Sequence, residues 1–510
     1  MDIAWANCVT ELSAAGWLPR GAGGFAVEPP PEKDLLADIV ASWRQEIVTG
    51  HGRPRRSTVI RDRLLIWQQT GAQLTWTAPD QPQSRTARWL GARLIWWPHG
   101  VPSGHRLAVL SSRVERDWDL RWIWFAALRQ LCVQRSPESP TLVAAEGTAA
   151  AQAVRRAAQL FDLPLLWVVS PRDRERLSSW LRDIGKETPS APEKAGPSVA
   201  RLSPALPGAG VPPADAPVRD RALVALGYEL VAVSIRTRGH VQRLLQQCLL
   251  DSSPDRPIVR VVDDPRLVRP ALLQELRQQG AAAIGVPPRL PIRVSQPARS
   301  VDRGRPAVPL IAVPAAHDWS YLSHWTRAAA DGWPDESTDE YLDRLLGGDP
   351  LGDHSAFGTL QRIVREEQLR ATAAAIRGGI PVVCFTAAPL TELNQRRVFR
   401  RHRGRWDFEP YGISIRQSYL EQAGARPVYY GVDEEWAQLP AAERPFFQLQ
   451  RTRGRRAAID WTEEREWRHP GSLDLRPLSP TDALLFVPTR VEAELLAEIS
   501  RWPIVVLTEG

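Results

Sequence analysis

Two groups of residues in this 510-residue chain have the types and spacing to do chemistry. The first sits at the ends of short apolar runs: Ser111-Ser112-Arg113 after Leu107–Leu110, Glu146-Gly147-Thr148 after Leu142–Ala145, and Ser234 followed by Arg236, Arg238 and Gly239. Hydroxyls, exposed backbone N–H groups and guanidinium ions suit phosphate oxygens, and a carboxylate such as Glu146 accepts from a ribose hydroxyl or a base amine. Ser112, Arg113, Glu146, Thr148 and Arg238 are therefore the candidate ligand-binding residues of this half. They come without a G-x-G-x-x-G or G-x-x-x-x-G-K-[ST] run, so neither a standard dinucleotide fingerprint nor a Walker nucleotidase is supported. The competing interpretation makes Ser111 and Thr148 helix caps and Glu146 a solvated loop residue.

The second group lies further along the chain. His324 and Arg327 follow the apolar-polar stretch Trp319–Leu322 at what reads as a strand end, Tyr411 enters a later strand, and the charged run Trp461–Arg468 holds Glu463, Glu464 and Glu466. A dinucleotide such as NAD would use these types well. His324 would donate to a ribose hydroxyl, Arg327 would face the pyrophosphate and Tyr411 would stack on nicotinamide. Glu466 would hold the ribose 2′-OH while positive charge develops at the breaking glycosidic bond. Glu463 and Glu464 compete for that last role, and strand alternation places Glu464 on the face of Glu466. A structural histidine, a core tyrosine and a solvated charged turn would explain the same residues without chemistry.

The elements that must position these groups follow from periodicity. From Leu107 to about Gln279, short apolar strands alternate with helical patterns, which implies a parallel sheet covered on both faces. This makes residues 104–290 one α/β domain, interrupted by a stretch at 186–217 rich in Pro, Ala, Gly and Ser that reads as irregular. Residues 1–100 read as a small mixed N-terminal segment, and residues 310–510, with more strands and fewer helices, as a separate α+β domain. At 510 residues, two or three domains are expected.

Composition narrows the classes further. Cys8, Cys132, Cys248 and Cys384 are far apart, which fits reduced thiols rather than a disulfide framework or a zinc site. Neither a secretory leader nor a long apolar run is present, so a cytoplasmic protein is expected. The net charge of +7 is modest for this length and is compatible with an anionic partner without requiring one. The 21 tryptophans are read chiefly as packing residues.

Two resemblances add to this reading. Leu107–Arg113, Ala144–Ala149 and Arg219–Leu226 leading into Val231–Ser234 resemble the Rossmann-like fold of DNA-processing protein A and of nucleotide-sensing domains of bacterial conflict systems. Where those proteins carry Arg-Asn-Arg, this chain has Arg219-Asp220-Arg221, and most of the usual loop glycines are missing, which favours ligand sensing over DNA processing. The order His324-Trp325-Thr326-Arg327, then a helix containing Thr359, Leu360, Ile363 and Leu369, then Phe385-Thr386, resembles bacterial ADP-ribosyltransferase-like domains. That resemblance implies an NAD site with His324 in the first strand, Tyr411 at the middle position and Glu466 as the late glutamate.

The combined expectation is a Rossmann-like parallel-sheet domain followed by an α+β domain. Its activity would be that of a nucleotide-sensing, NAD-using transferase or NAD glycohydrolase, of a kind that suits bacterial antiviral defence. The expected partners are a nucleotide-derived ligand and a nucleic-acid or protein acceptor, with no membrane; an oligomer or complex is left open. The alternative is a non-enzymatic nucleic-acid-binding or scaffold protein related to DNA-processing protein A.

Overall fold

A computed structural model describes residues 3–19, 25, 33–49, 57–77, 84–114, 118–133, 140–187, 197–206, 215–286, 308–329, 332–333, 335–349, 352–373, 376–394, 398–400, 405–449 and 465–507. The chain is an α/β protein with two large sheets, and it divides into two compact units. The first consists chiefly of residues 1–290 and the second chiefly of residues 291–510.

In the first unit nine strands form one sheet. They are β1 (Gln73–Thr77), β2 (Arg93–Trp97), β3 (Arg106–Ser111), β4 (Thr141–Ala145), β5 (Leu165–Val169), β6 (Ser198–Leu202), β7 (Glu229–Ser234), β8 (Ile258–Asp263) and β9 (Ala282–Gly285). Their spatial order is β1-β2-β6-β5-β4-β3-β7-β8-β9. Strands β3 to β9 run parallel, whereas β2 pairs antiparallel with both β6 and β1. The central strands β3, β4 and β7 are buried almost throughout, as a sheet covered on both faces requires. From β3 the chain steps outward through β4, β5 and β6, then returns to the other side of β3 for β7, β8 and β9. The reversal falls between β3 and β7.

Two expectations about this unit change. The stretch 186–217, read as irregular, contains β6, which pairs with β5 through Leu166↔Ser198 to Val169↔Arg201 and with β2 through Ile95↔Leu202. Five residues between proline-rich flanks give too short an alternation to show as a strand, and its order comes from neighbours on both sides. The N-terminal segment is also part of the sheet, because β1 and β2 extend it at one edge. Their aromatic side chains pack with the N-terminal helices: Trp17, Trp67 and Trp96 form a mutual cluster with ring centroids 4.9–6.2 Å apart, large apolar bodies that bury well against one another.

The second unit contains β10 (Leu310–Ile311), β11 (Tyr321–Trp325), β12 (Gln368–Leu369), β13 (Val382–Thr386), β14 (Val398–Arg400), β15 (Arg405–Asp407) and β16 (Gly412–Arg416). It continues with β17 (Arg426–Pro427), β18 (Tyr429–Gly431), β19 (Phe447–Leu449), β20 (Glu466–Pro470), β21 (Leu473–Asp474), β22 (Ala483–Val487) and β23 (Ile504–Val506). Eight of them form a sheet in the order β10-β23-β22-β16-β11-β13-β20-β17, and β12–β21, β14–β15 and β18–β19 pair separately. Alternation divides the large sheet into two apolar faces. Leu322, Val383, Phe385, Ile413, Ile415 and Leu485 belong to one core; Trp325, Leu484 and Phe486 belong to the other. At Gly412 the strands β11, β16 and β22 crowd together, and a side chain there would land on the His324 carbonyl and the Phe486 ring.

Candidate functional site

The reversal between β3 and β7 is where an open parallel sheet offers a crevice beyond its strand ends. Ser112 donates its backbone N–H to the Ser234 carbonyl (2.8 Å), and its hydroxyl accepts from the Arg236 N–H (2.9 Å), so Ser112 ties the two strand ends together. Ser111 accepts from the Trp124 indole (2.9 Å) and donates to the Arg113 carbonyl (2.7 Å). Thr148 donates to the Ala145 carbonyl (2.8 Å). These hydroxyls shape the loops. The charged groups Arg113, Glu146, Arg236 and Arg238 lie exposed at the same end of the sheet. Gly147 has φ +78°, and a Cβ there would lie 3.1 Å from the Arg219 guanidinium, so Arg219 covers the β4 turn. Arg221, by contrast, is buried and bonded to the Trp89 and Ala216 carbonyls. Arg238 holds a left-handed backbone (φ 61°), and its N–H is taken by the Gln242 side chain (2.7 Å). The helix that follows, His240–Leu250, starts at Gly239 without a side-chain cap, which leaves N–H groups at its first turn for an anion. A groove lined by Asp263, Val268, Leu273 and Arg277 opens beside the end of β8, one strand further out, and does not include these residues.

In the second unit the notable feature is a gap in the sheet. β13 pairs with β20 along all five residues, yet β11 and β13 share one registered pair, Ser323↔Thr386. Next to that pair the His324 imidazole reaches across, with Nδ1 2.9 Å from the Cys384 carbonyl. A carbonyl accepts only, so Nδ1 carries the proton. Loss of water around the ring, with the nearby Arg327 charge, pushes the His324 pKa down from its ordinary 6.5. The neutral ring then presents Nε2 as an acceptor. This changes the expected chemistry: His324 would accept from a ribose hydroxyl rather than donate to it.

Glu466 is the first residue of β20, which lies on the far side of β13 from β11. Register places it opposite Thr386, on the face of Ser323 and Ser414, whereas Ile413, Phe385 and Trp467 share the face of His324. Cys384 connects the two. Its carbonyl accepts from His324, and its side chain lies on the Glu466 face; burial, with the Glu466 charge, raises the thiol pKa to about 11. The thiol therefore stays protonated at neutral pH. Glu466 Oε1 accepts from Arg468 Nε (2.9 Å), and Oε2 accepts from the Tyr430 hydroxyl (3.2 Å).

Cys384 thus lies between two groups on opposite faces of the sheet: its carbonyl meets His324 on one face, and its side chain lies on the Glu466 face. The structure engages Tyr411 differently. Tyr411 leads into β16, its phenol donates to Glu492 (2.7 Å), and its ring packs on Phe357. The tyrosine bonded to Glu466 is Tyr430. Glu463 and Glu464 lie outside the described residues. Cys384, Tyr430, Arg468 and Arg219 were not picked out as site residues from sequence. For Arg468 a signal existed, since two residues from Glu466 on a strand is the same face.

No protein-family model matches this chain, and no curated protein matches it. Among the described residues there is no cluster of three or more His, Cys, Asp and Glu able to hold a metal ion, and no helix long and apolar enough to cross a membrane.

Proposed function

We propose that the protein is a nucleotide-sensing effector whose second unit is ADP-ribosyltransferase-like and uses NAD as its substrate. The observations that support the reading are the parting of β11 from β13 beyond Ser323↔Thr386, where a neutral His324 is followed by Arg327, and, one strand further along the sheet on β20, a carboxylate already oriented through hydrogen bonds to both oxygens. In this reading His324 Nε2 accepts from a ribose hydroxyl and Arg327 faces the pyrophosphate. Glu466 holds the ribose 2′-OH. As the C1′–N bond breaks, its electron pair leaves with nicotinamide, and Glu466 stabilises the positive charge on the sugar until the acceptor adds and loses its proton. A nucleic-acid or protein nucleophile gives transfer; water gives NAD hydrolysis.

The first unit, in the same reading, is a Rossmann-like ligand sensor. Its crevice between β3 and β7, with Arg113, Arg219 and Arg238 at one end of the sheet, suits a phosphate-bearing signal.

Nicotinamide release by the full chain, with and without nucleotides and acceptors, tests the proposal. Glu466→Gln should leave NAD affinity nearly unchanged and lower turnover by about a hundredfold or more, the usual effect of removing a preorganised contact to developing charge. His324→Ala should weaken NAD binding, because its bond to ribose precedes the reaction. A chain that binds nucleic acid yet never releases nicotinamide would instead favour the non-enzymatic alternative.

A further inference from the structure

The contacts of Glu466 form a closed circuit. Tyr430 of β18 donates to Oε2, and Tyr430 is the registered partner of Gln448 in β19. The Gln448 side chain accepts from Arg468 Nη2 (2.6 Å), and Arg468 returns to Glu466 Oε1 through Nε (2.9 Å). The circuit leaves little play. Arg468 Nη1 is further held by the carbonyls of Phe447 (2.9 Å) and Pro445 (3.2 Å). The β18–β19 pair that supports it is itself tight: a side chain on Gly431 would collide with the Glu435 carboxylate and the Phe447 ring. Val428, just before β18, donates its N–H to the Glu466 carbonyl (2.8 Å), which fixes the backbone of the same residue.

Fold stability alone does not call for this arrangement. A buried guanidinium needs one charge partner and satisfied donors. Here the partner is a residue whose carboxylate keeps 18% exposure at the start of β20, while the Arg468 side chain keeps 2%. The second oxygen is bound by a separate strand. Holding both oxygens sets the plane of the carboxylate, which a single ion pair leaves free to turn.

We propose that Tyr430 and Arg468 are positioning residues that fix the carboxylate plane of Glu466 for its contact with the ribose of NAD, with Gln448 closing the circuit. The inference rests on the NAD reading above and deepens it. Neither residue touches the reacting atoms; each acts through Glu466.

The experiment is a double-mutant cycle on nicotinamide release by the full chain. Tyr430→Phe removes one oxygen and keeps the ring, so the fold is retained where Arg468→Met would risk unfolding. Tyr430→Phe should lower kcat about tenfold, since small misplacements of a catalytic group have effects of that order or larger, and KM for NAD should stay unchanged. Arg468→Lys keeps the charge without the fork and should lower kcat at least as much. In a Glu466→Gln background, Tyr430→Phe should cause no further loss. Three outcomes overturn the inference. An unchanged kcat in Tyr430→Phe, while Glu466→Gln is impaired, removes it and leaves the NAD reading intact. An equal loss in the Glu466→Gln background shows that Tyr430 acts elsewhere. A wild-type chain that releases no nicotinamide overturns the NAD reading and this inference with it.

Discussion

The two strand-end regions use polar residues in opposite ways. Beyond β3, β4 and β7, the hydroxyls of Ser111, Ser112 and Thr148 spend their bonds on nearby backbone, and the arginines around them stand exposed. Around Glu466 on β20, the polar groups converge on one carboxylate, and the arginine nearest it is buried. The first pattern suits reversible capture of an anion, because exposed guanidinium groups lose little on binding and tolerate a range of ligands. The second suits chemistry, because a carboxylate fixed in advance need not reorganise when charge develops.

The comparison can be broken most severely at Gly412. A Cβ there meets the His324 carbonyl and the Phe486 ring, so Gly412→Ala must push β11 away from β16 or β22 away from both. Overpacking of this kind costs about 3 kcal/mol, and denaturant unfolding of the full chain measures it. NAD turnover should fall as well, since the displaced strand carries His324. A variant as stable as wild type would mean that the strands around the gap are looser than the second pattern requires.

Charge reversal sharpens the other side. Arg113→Glu, Arg219→Glu and Arg238→Glu each remove one contact to a phosphate-bearing ligand. Each should cost roughly 1.5–3 kcal/mol, or about ten- to a hundredfold in affinity, by calorimetry with mono- and cyclic nucleotides. Stability should change little, because all three side chains are exposed. Undiminished binding of an authentic ligand to all three variants would remove the crevice from consideration.

How much of this was legible in the sequence depends on where the information resides. Strands buried on both faces write continuous apolar runs, so Leu107–Leu110, Leu142–Ala145 and Leu230–Val233 announced a parallel sheet. Strand β6 could not be seen, because its order depends on partners far away in the chain. Residue type and strand position are what single out His324, Arg327 and Glu466 as candidates. Tyr430 and Cys384 could not be found in that way, since their roles follow from register between strands joined by long connections. Tyr411 is singled out by residue type and by the resemblance. It alternates with Ile413 and Ile415 onto the face that His324 shares, where its ring packs in the core and its hydroxyl reaches Glu492.

The smallest expected effect concerns His324 and pH. Its pKa in the folded chain lies below 6.5, because charging the ring would place a cation in a desolvated gap beside Arg327. In the unfolded chain the ordinary value returns. Between the two values the unfolded state binds more protons, so stability falls as pH drops through that window and is insensitive to this group above it. The slope from one histidine cannot exceed about 1.4 kcal/mol per pH unit. His324→Gln keeps a donor for the Cys384 carbonyl and removes the titration. Urea unfolding of the full chain at pH 7.5 and at pH 5.5 should therefore show a larger loss on acidification for wild type than for the variant. Equal losses would mean that the ring accepts a proton in the folded chain as readily as in water. Nε2 could then donate as well as accept, and the first expectation, that His324 gives a hydrogen bond to ribose, would replace the one drawn from its bond to Cys384.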